Sequence, residues 1–154
     1  MDAGWRLDPL NLVGAPGWLM LLLDSEAISA VAQGPRRRRD RVRALMALMR
    51  ARELPVGTVA AVLAEVVRGH PRDAGVFAGL RRERVQVHPV DTRVGVRAGQ
   101  LLGAVGAGSD LAVDAFVVAV ADLQGGAVVA TVDPSDMRRL ASHATSVEVA
   151  NLEE

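Results

Sequence analysis

The chain has 154 residues, half of them hydrophobic, and its 18 basic and 18 acidic side chains cancel to a formal net charge of zero. That length suits one domain with a real core, and no apolar run approaches the ~20 residues of a membrane span. Cysteine is absent, which excludes disulfide staples and thiolate metal sites.

Charge is unevenly placed. All 18 basic residues are arginine. The run PRRRRDRVR (Pro35–Arg43) concentrates positive charge, while the tail EVANLEE is acidic. The first residues, MDAGWRLDP, lack the basic start and long apolar stretch of a signal peptide, so a cytoplasmic location is expected.

Residues 1–17 hold Gly4, Pro9, Gly14, Pro16 and Gly17 without periodicity and read as an irregular extension before a domain spanning 18–154. Trp18–Leu23 reads as a buried strand ending at Asp24, followed by a helix over Ser25–Ala32. Arg39–Arg52 places Val42, Leu45, Met46 and Met49 on one helical face. A strand near Leu54–Gly57 leads into a helix over Thr58–Arg68. Asp73–Arg82 is a helix, Val85–Val90 a strand, and Thr92–Val105 and Asp110–Leu123 are helices. Ala127–Thr131 is a strand, Pro134–Ser142 a helix, and Ser146–Val149 the last strand. Strands and helices alternating at this spacing imply a mostly parallel sheet with helices on both faces.

Four acids stand out by position. Glu65 is the sole ionisable residue of VGTVAAVLAEVV (Val56–Val67), and Asp114 that of LAVDAFVVAVA (Leu111–Ala121). Helices this apolar are expected to be buried, and a buried carboxylate must protonate, pair or bind a cation. Arg68 is within i+3 reach of Glu65 for a structural ion pair. Asp24 closes WLMLLL and Asp133 closes AVVATV, at strand ends where ligands bind in open α/β sheets. Each also suits a helix N-cap, with Pro134 at the first helical position. Together the four can converge on one edge of the sheet, where they would repel one another without a cation. Hard oxygen ligands favour Mg²⁺, with Mn²⁺ as the other fit. His70, His88 and His143 form no zinc spacing and are expected on the surface or in loops.

The segments LLLDSEAIS, PVGTVAAVLAEVVRG, GSDLAVDAFVVAVA and VVATVDPSDMRRLA, in that order, resemble the PIN-domain toxins of VapBC toxin–antitoxin systems, from Leu19 to the end of the chain. The resemblance implies a PIN-like three-layer α/β/α fold and a four-acid site carried over as Asp24, Glu65, Asp114 and Asp133. Thr131 matches the hydroxyl residue two before the last acid. Many relatives read Asp-Thr-Asn where this chain has Asp24-Ser25-Glu26. Many also begin at the first strand, so Met20 is an alternative start.

For such a site the family implies RNA phosphodiester hydrolysis by metal-activated water, with Asp24 and Asp114 as first-choice ligands. Glu65 and Asp133 would bind metal directly or orient its waters. Transfer RNA is the substrate expected from the family, although nothing in the residues separates it from messenger or ribosomal RNA. A VapB-type antitoxin and a homodimer are the implied partners, with Ile28, Val31, Leu45 and Met49 expected to line the antitoxin's groove. Asp110, Asp136 and Asp91 read as helix caps, Asp110 with a secondary metal role open. The arginine run reads as an RNA-backbone contact or as a solvated face. Trp5, Trp18, Phe77 and Phe116, the only aromatics, leave little for base stacking. A receiver domain or a haloacid dehalogenase-type phosphatase needs a lysine this chain lacks. The remaining alternative is a PIN domain acting as a binding module.

Overall fold

A computed structural model describes residues 18–153; the extension before Trp18 lies outside them. Five strands form one sheet in the order β3-β2-β1-β4-β5: β1 Leu21–Leu23, β2 Val56–Val59, β3 Gln86–His88, β4 Ala127–Thr131 and β5 Val147–Asn151. Every pairing is parallel, so all strands present their carboxyl ends to one edge. The helices are α1 Ser25–Gln33, α2 Arg36–Ala51, α3 Ala60–Val66, α4 Asp73–Arg82, α5 Thr92–Val105, α6 Ala112–Leu123 and α7 Pro134–Ala141.

The middle of the sheet is dry because its strands carry no polar side chain facing water. Leu21, Leu22 and Leu23 of β1 are buried, as is all of β4, the continuous apolar pattern of a strand covered on both faces. Of the two buried hydroxyls in these strands, Thr58 donates to the Leu23 carbonyl at 2.7 Å, pairing the last acceptor of β1. Gly57 is required beneath His88: a Cβ there would come within 3.0 Å of the imidazole.

Several expectations change in detail. Thr58 and Val59 continue β2 instead of opening a helix, because both find parallel partners in β3. The helix that follows is only seven residues long with Val62 as its sole buried side chain, so its apolar sequence does not signal burial. Strand β1 begins at Leu21; Trp18 packs against the core while Leu19 stays half-exposed. Helix α2 starts at Arg36, three residues earlier than the periodicity indicates, so the arginine run is helical. His88 belongs to a strand instead of a loop, half-buried, and burial lowers its pKa. Ile28, Val31, Leu45 and Met49 are core residues, each under a tenth exposed. Leu45 and Met49 pack into the core, while Ile28 and Val31 line a small apolar hollow between α1 and α4 with Val76 and Leu80.

An arginine clip closes the far side. Arg97 of α5 donates Nε to Asp122 Oδ2 and Nη2 to the His143 carbonyl, both at 2.8 Å, while Asp122 Oδ1 accepts the Thr145 N–H at 2.8 Å. One carboxylate thus ties α5, α6 and the approach to β5 together. Asp122→Ala leaves a guanidinium and an amide without a partner and should cost about 2 kcal/mol, or roughly 4–8 °C in melting temperature. A thermal melt showing no loss would mean that the clip is not needed for stability.

Candidate metal centre

Because β1 and β4 are parallel neighbours, with Leu23 beside Ala130, the residues following them emerge side by side. The Asp24 N–H still donates to the Ala130 carbonyl, at 3.3 Å. Its side chain then turns inward as the N-cap of α1, accepting the Ala27 N–H at 2.9 Å. Thr131, the last residue of β4, is buried. Its hydroxyl accepts the Asp133 N–H at 3.2 Å and donates to the Asp133 carbonyl at 3.3 Å, and it stands near enough to Asp24 to lower that carboxyl's pKa. Capping does not exhaust Asp24: the Ala27 amide takes Oδ1, and the other carboxylate oxygen keeps its lone pairs.

Burial pushes the Asp24 carboxyl from its ordinary 3.8 up to about 6, against the lowering effect of Thr131 and the Ala27 N–H, and the charge of Asp114 raises it further. Asp114 sits half-buried in the first turn of α6. It too is raised to about 6, first by burial and then by the negative charges of Glu65, Asp136 and Asp133. Asp114 is thus the electrostatic centre of the cluster, within range of acids from α3, α7 and the β4–α7 junction as well as of Asp24.

Glu65 and Asp133 are exposed, Glu65 in contrast to the burial expected from its apolar surroundings. Glu65 makes no ion pair with Arg68, which instead donates to the Ala64 and Val67 carbonyls. Asp133 stands at the N-cap position of α7 without a capping hydrogen bond from its side chain. Asp110 does not cap α6 either: it lies in a 3-10 turn, Ser109–Leu111, and Leu111 occupies the cap position. Asp91 does cap α5, through the Val94 N–H at 3.0 Å. Asp136, expected to be a cap, pairs with Arg139 at 3.2 Å and still bears on Asp114. Its place one turn beyond Asp133 on α7 was the available signal for that influence.

Among the described residues, no three carboxylate or imidazole side chains stand close enough together to hold a metal ion jointly. The donor chemistry nonetheless fits a hard divalent cation: every candidate ligand is a carboxylate oxygen, and a cation would offset the burial and the repulsion that raise two of the carboxyls to about 6. A cleft of about 350 Å³ lies elsewhere, at the amino end of β2 between Arg50, Pro55, Arg82 and Arg84. Its charge is partly cancelled by Glu83, whose carboxylate is lowered chiefly by its hydrogen bond from Arg50.

An all-parallel α/β/α domain with acids gathered at the carboxyl edge of its sheet places the chain among α/β proteins built around an acidic strand-end site. More narrowly, the chain belongs to the PIN domain family, whose profile matches residues 21–142. No curated protein matches it significantly. Among solved structures, it is similar in fold to a chain of VapBC2 from Rickettsia felis bound to a DNA fragment from their promoter. The TM-score is 0.60 and the identity 16%, over 86% of this chain and 98% of that one. No described helix is long and apolar enough to cross a membrane.

The raised carboxyls set a pH dependence. Asp24 and Asp114 hold a proton more tightly folded than unfolded, so without metal they oppose folding increasingly as pH rises from 3.8 through about 6. For Asp24 the shift corresponds to about 3 kcal/mol at neutral pH. Metal-free protein should therefore melt higher near ~pH 5 than near ~pH 7, and Mg²⁺ or Mn²⁺ should raise the melting temperature at the higher pH. Asp24→Asn should flatten both responses; a variant that responds like the wild type would place their origin elsewhere.

Proposed function

We propose that this PIN domain is a metal-dependent endoribonuclease, the toxin of a VapBC-type toxin–antitoxin pair. The observation that carries this reading is the pair of carboxyls Asp24 and Asp114, both raised to about 6 and surrounded by the charges of Glu65, Asp133 and Asp136. Two crowded, part-buried acids oppose folding at neutral pH unless a cation offsets them. The segments around the four acids resemble VapC toxins in order and local sequence, and the shared fold with VapBC2 is consistent with that resemblance.

Asp24 and Asp114 would hold Mg²⁺ or Mn²⁺, with Glu65 and Asp133 as further ligands or as acceptors for its waters. When bound, such a cation lowers the pKa of a water and offsets charge developing on the phosphate and the leaving oxygen. The Ala27 N–H holds one oxygen of Asp24, which limits the reorganisation needed to receive a cation. Clustered carboxylates repel a phosphodiester, so RNA can approach only once that charge is offset. The same charge suits an antitoxin that inserts an arginine, since bidentate Arg–carboxylate contacts are among the stronger polar ones. Assembly as a homodimer completes the reading.

Asp114→Asn should reduce RNA cleavage by more than the roughly 10–100-fold typical of losing an outer partner. Thr131→Val should fall inside that range, while Thr131→Ser keeps the hydroxyl and most of the activity. The assay is cleavage of total or transfer RNA with Mg²⁺ and with chelator, with growth arrest on expression read in parallel. Growth arrest that persists with Asp114→Asn, or cleavage insensitive to chelator, would remove the metal-nuclease reading and leave a binding module.

A further inference from the structure

Between Arg36 and Arg43, six of eight residues are arginine and one is aspartate. These residues form the first two turns of α2, with Pro35 at the cap position and no acid in the first turn. For helix stability the arrangement is unfavourable. Cations crowd the positive pole of the helix dipole, and Arg37–Arg41 and Arg39–Arg43 are like-charged pairs at i,i+4. Of the eight, only Val42 is buried. Packing therefore does not account for the arginines.

The tertiary structure gives this run a location. Arg38 forms an ion pair with Glu153, two residues beyond the end of β5. The adjoining Leu152 N–H donates to the Thr131 carbonyl at 2.8 Å. Thr131 ends β4 beside Asp24, and its hydroxyl accepts the Asp133 N–H. The arginine turns are thereby anchored to the carboxyl edge of the sheet, the edge that carries the acids. Among the described residues, the ion pairs of the run are Arg36–Asp40 and Arg38–Glu153. Arg37, Arg41 and Arg43 have no carboxylate partner there. Arg39 Nε is shielded from water without a hydrogen-bond partner.

We infer that the first two turns of α2 form the rim that holds the RNA phosphate backbone beside the acid site. Glu153 competes with that backbone for Arg38. The inference rests on the ribonuclease reading of the acids and supplies what they cannot, since carboxylates repel the strand they would cut. Guanidinium groups bind phosphate through paired N–H donors, and an electrostatic rim needs none of the aromatic stacking that this chain lacks.

The test uses the full chain carrying Asp114→Asn, so that binding is read without cleavage, and a short labelled single-stranded RNA followed by fluorescence anisotropy over a salt series. Removing Arg37, Arg41 and Arg43 together as glutamines should weaken binding at least ~10-fold and lower the salt slope by about 2, at ~0.7 per single-strand phosphate contact. Glutamines at Arg52, Arg81 and Arg84, exposed at the opposite end of the sheet, remove equal charge and should leave the slope within about one contact of the parent. Glu153→Gln should tighten binding, a gain that misfolding cannot mimic. Equal losses from the two arginine sets, or an unchanged slope for the rim set, would overturn the rim. So would rim variants that keep RNA binding but lose an acidic protein partner. If the rim set loses RNA binding while the wild type cleaves no RNA with Mg²⁺, the rim stands and the nuclease reading falls. The reverse pattern removes the rim alone.

Discussion

Strand β1 ends among buried residues, and Asp24 is the first polar side chain the chain must place after it. Its neighbours leave little choice. The β4 carbonyl at Ala130 holds its amide, and the first turn of α1 takes one carboxylate oxygen. The bond to the carboxylate stabilises the ionised form, but burial outweighs it and the net shift is upward. The acid is therefore well positioned and poorly solvated at once. That combination gives a cation something to stabilise while leaving its ligand little freedom to lose.

The parallel topology extends this constraint to the rest of the site. With all five strands running one way, every strand-to-helix junction opens at the same edge. Asp133 after β4, Glu65 on α3 after β2, and Glu153 after β5 are brought to that edge without any local sequence relationship among them. Asp114 comes from α6, which lies along the sheet and starts near the same edge, so its charge bears on Asp24. The edge is acidic at its middle and basic at its side, where α2 meets the segment after β5. The opposite end has its own arginines, but Glu83 engages both Arg50 and Arg82 there. A net charge of zero thus conceals two separated fields, and only such separation can attract a polyanion to the margin of an acidic site.

Alternating strand and helix patterns were enough to read a parallel α/β domain, and the continuous apolar run at β1 marked it as a buried strand. Isolated acids in apolar segments and at strand ends made Asp24, Glu65, Asp114 and Asp133 candidates, because an ionisable group in such a setting requires a reason, and the resemblance to PIN-domain toxins joined them into one proposed site. Burial was read less well. Glu65 lies in as apolar a segment as Asp114, yet α3 is a short surface helix while α6 packs into the core, and periodicity cannot separate a helix rich in alanine and valine that is covered from one that is not. The apolar faces of α1 and α2 were expected to form a groove; Leu45 and Met49 are packed into the core, and Ile28 and Val31 stand at the wall of a small hollow.

Composition and pattern alone determined the domain class, the hard-oxygen character of the candidate site and the separation of basic and acidic segments. Which acids influence which was decided only by folding, because electrostatic coupling depends on distance and dielectric, and residues far apart in the chain become neighbours through strand order. The same holds for Thr131, whose position two before Asp133 marks it as a local hydroxyl partner while its influence on Asp24 spans more than a hundred residues. It holds as well for the arginine run. Its charge is written in eight consecutive residues, but its place beside the acids follows from one ion pair to Glu153 and one backbone hydrogen bond to Thr131, contacts that exist only once β5 has paired with β4.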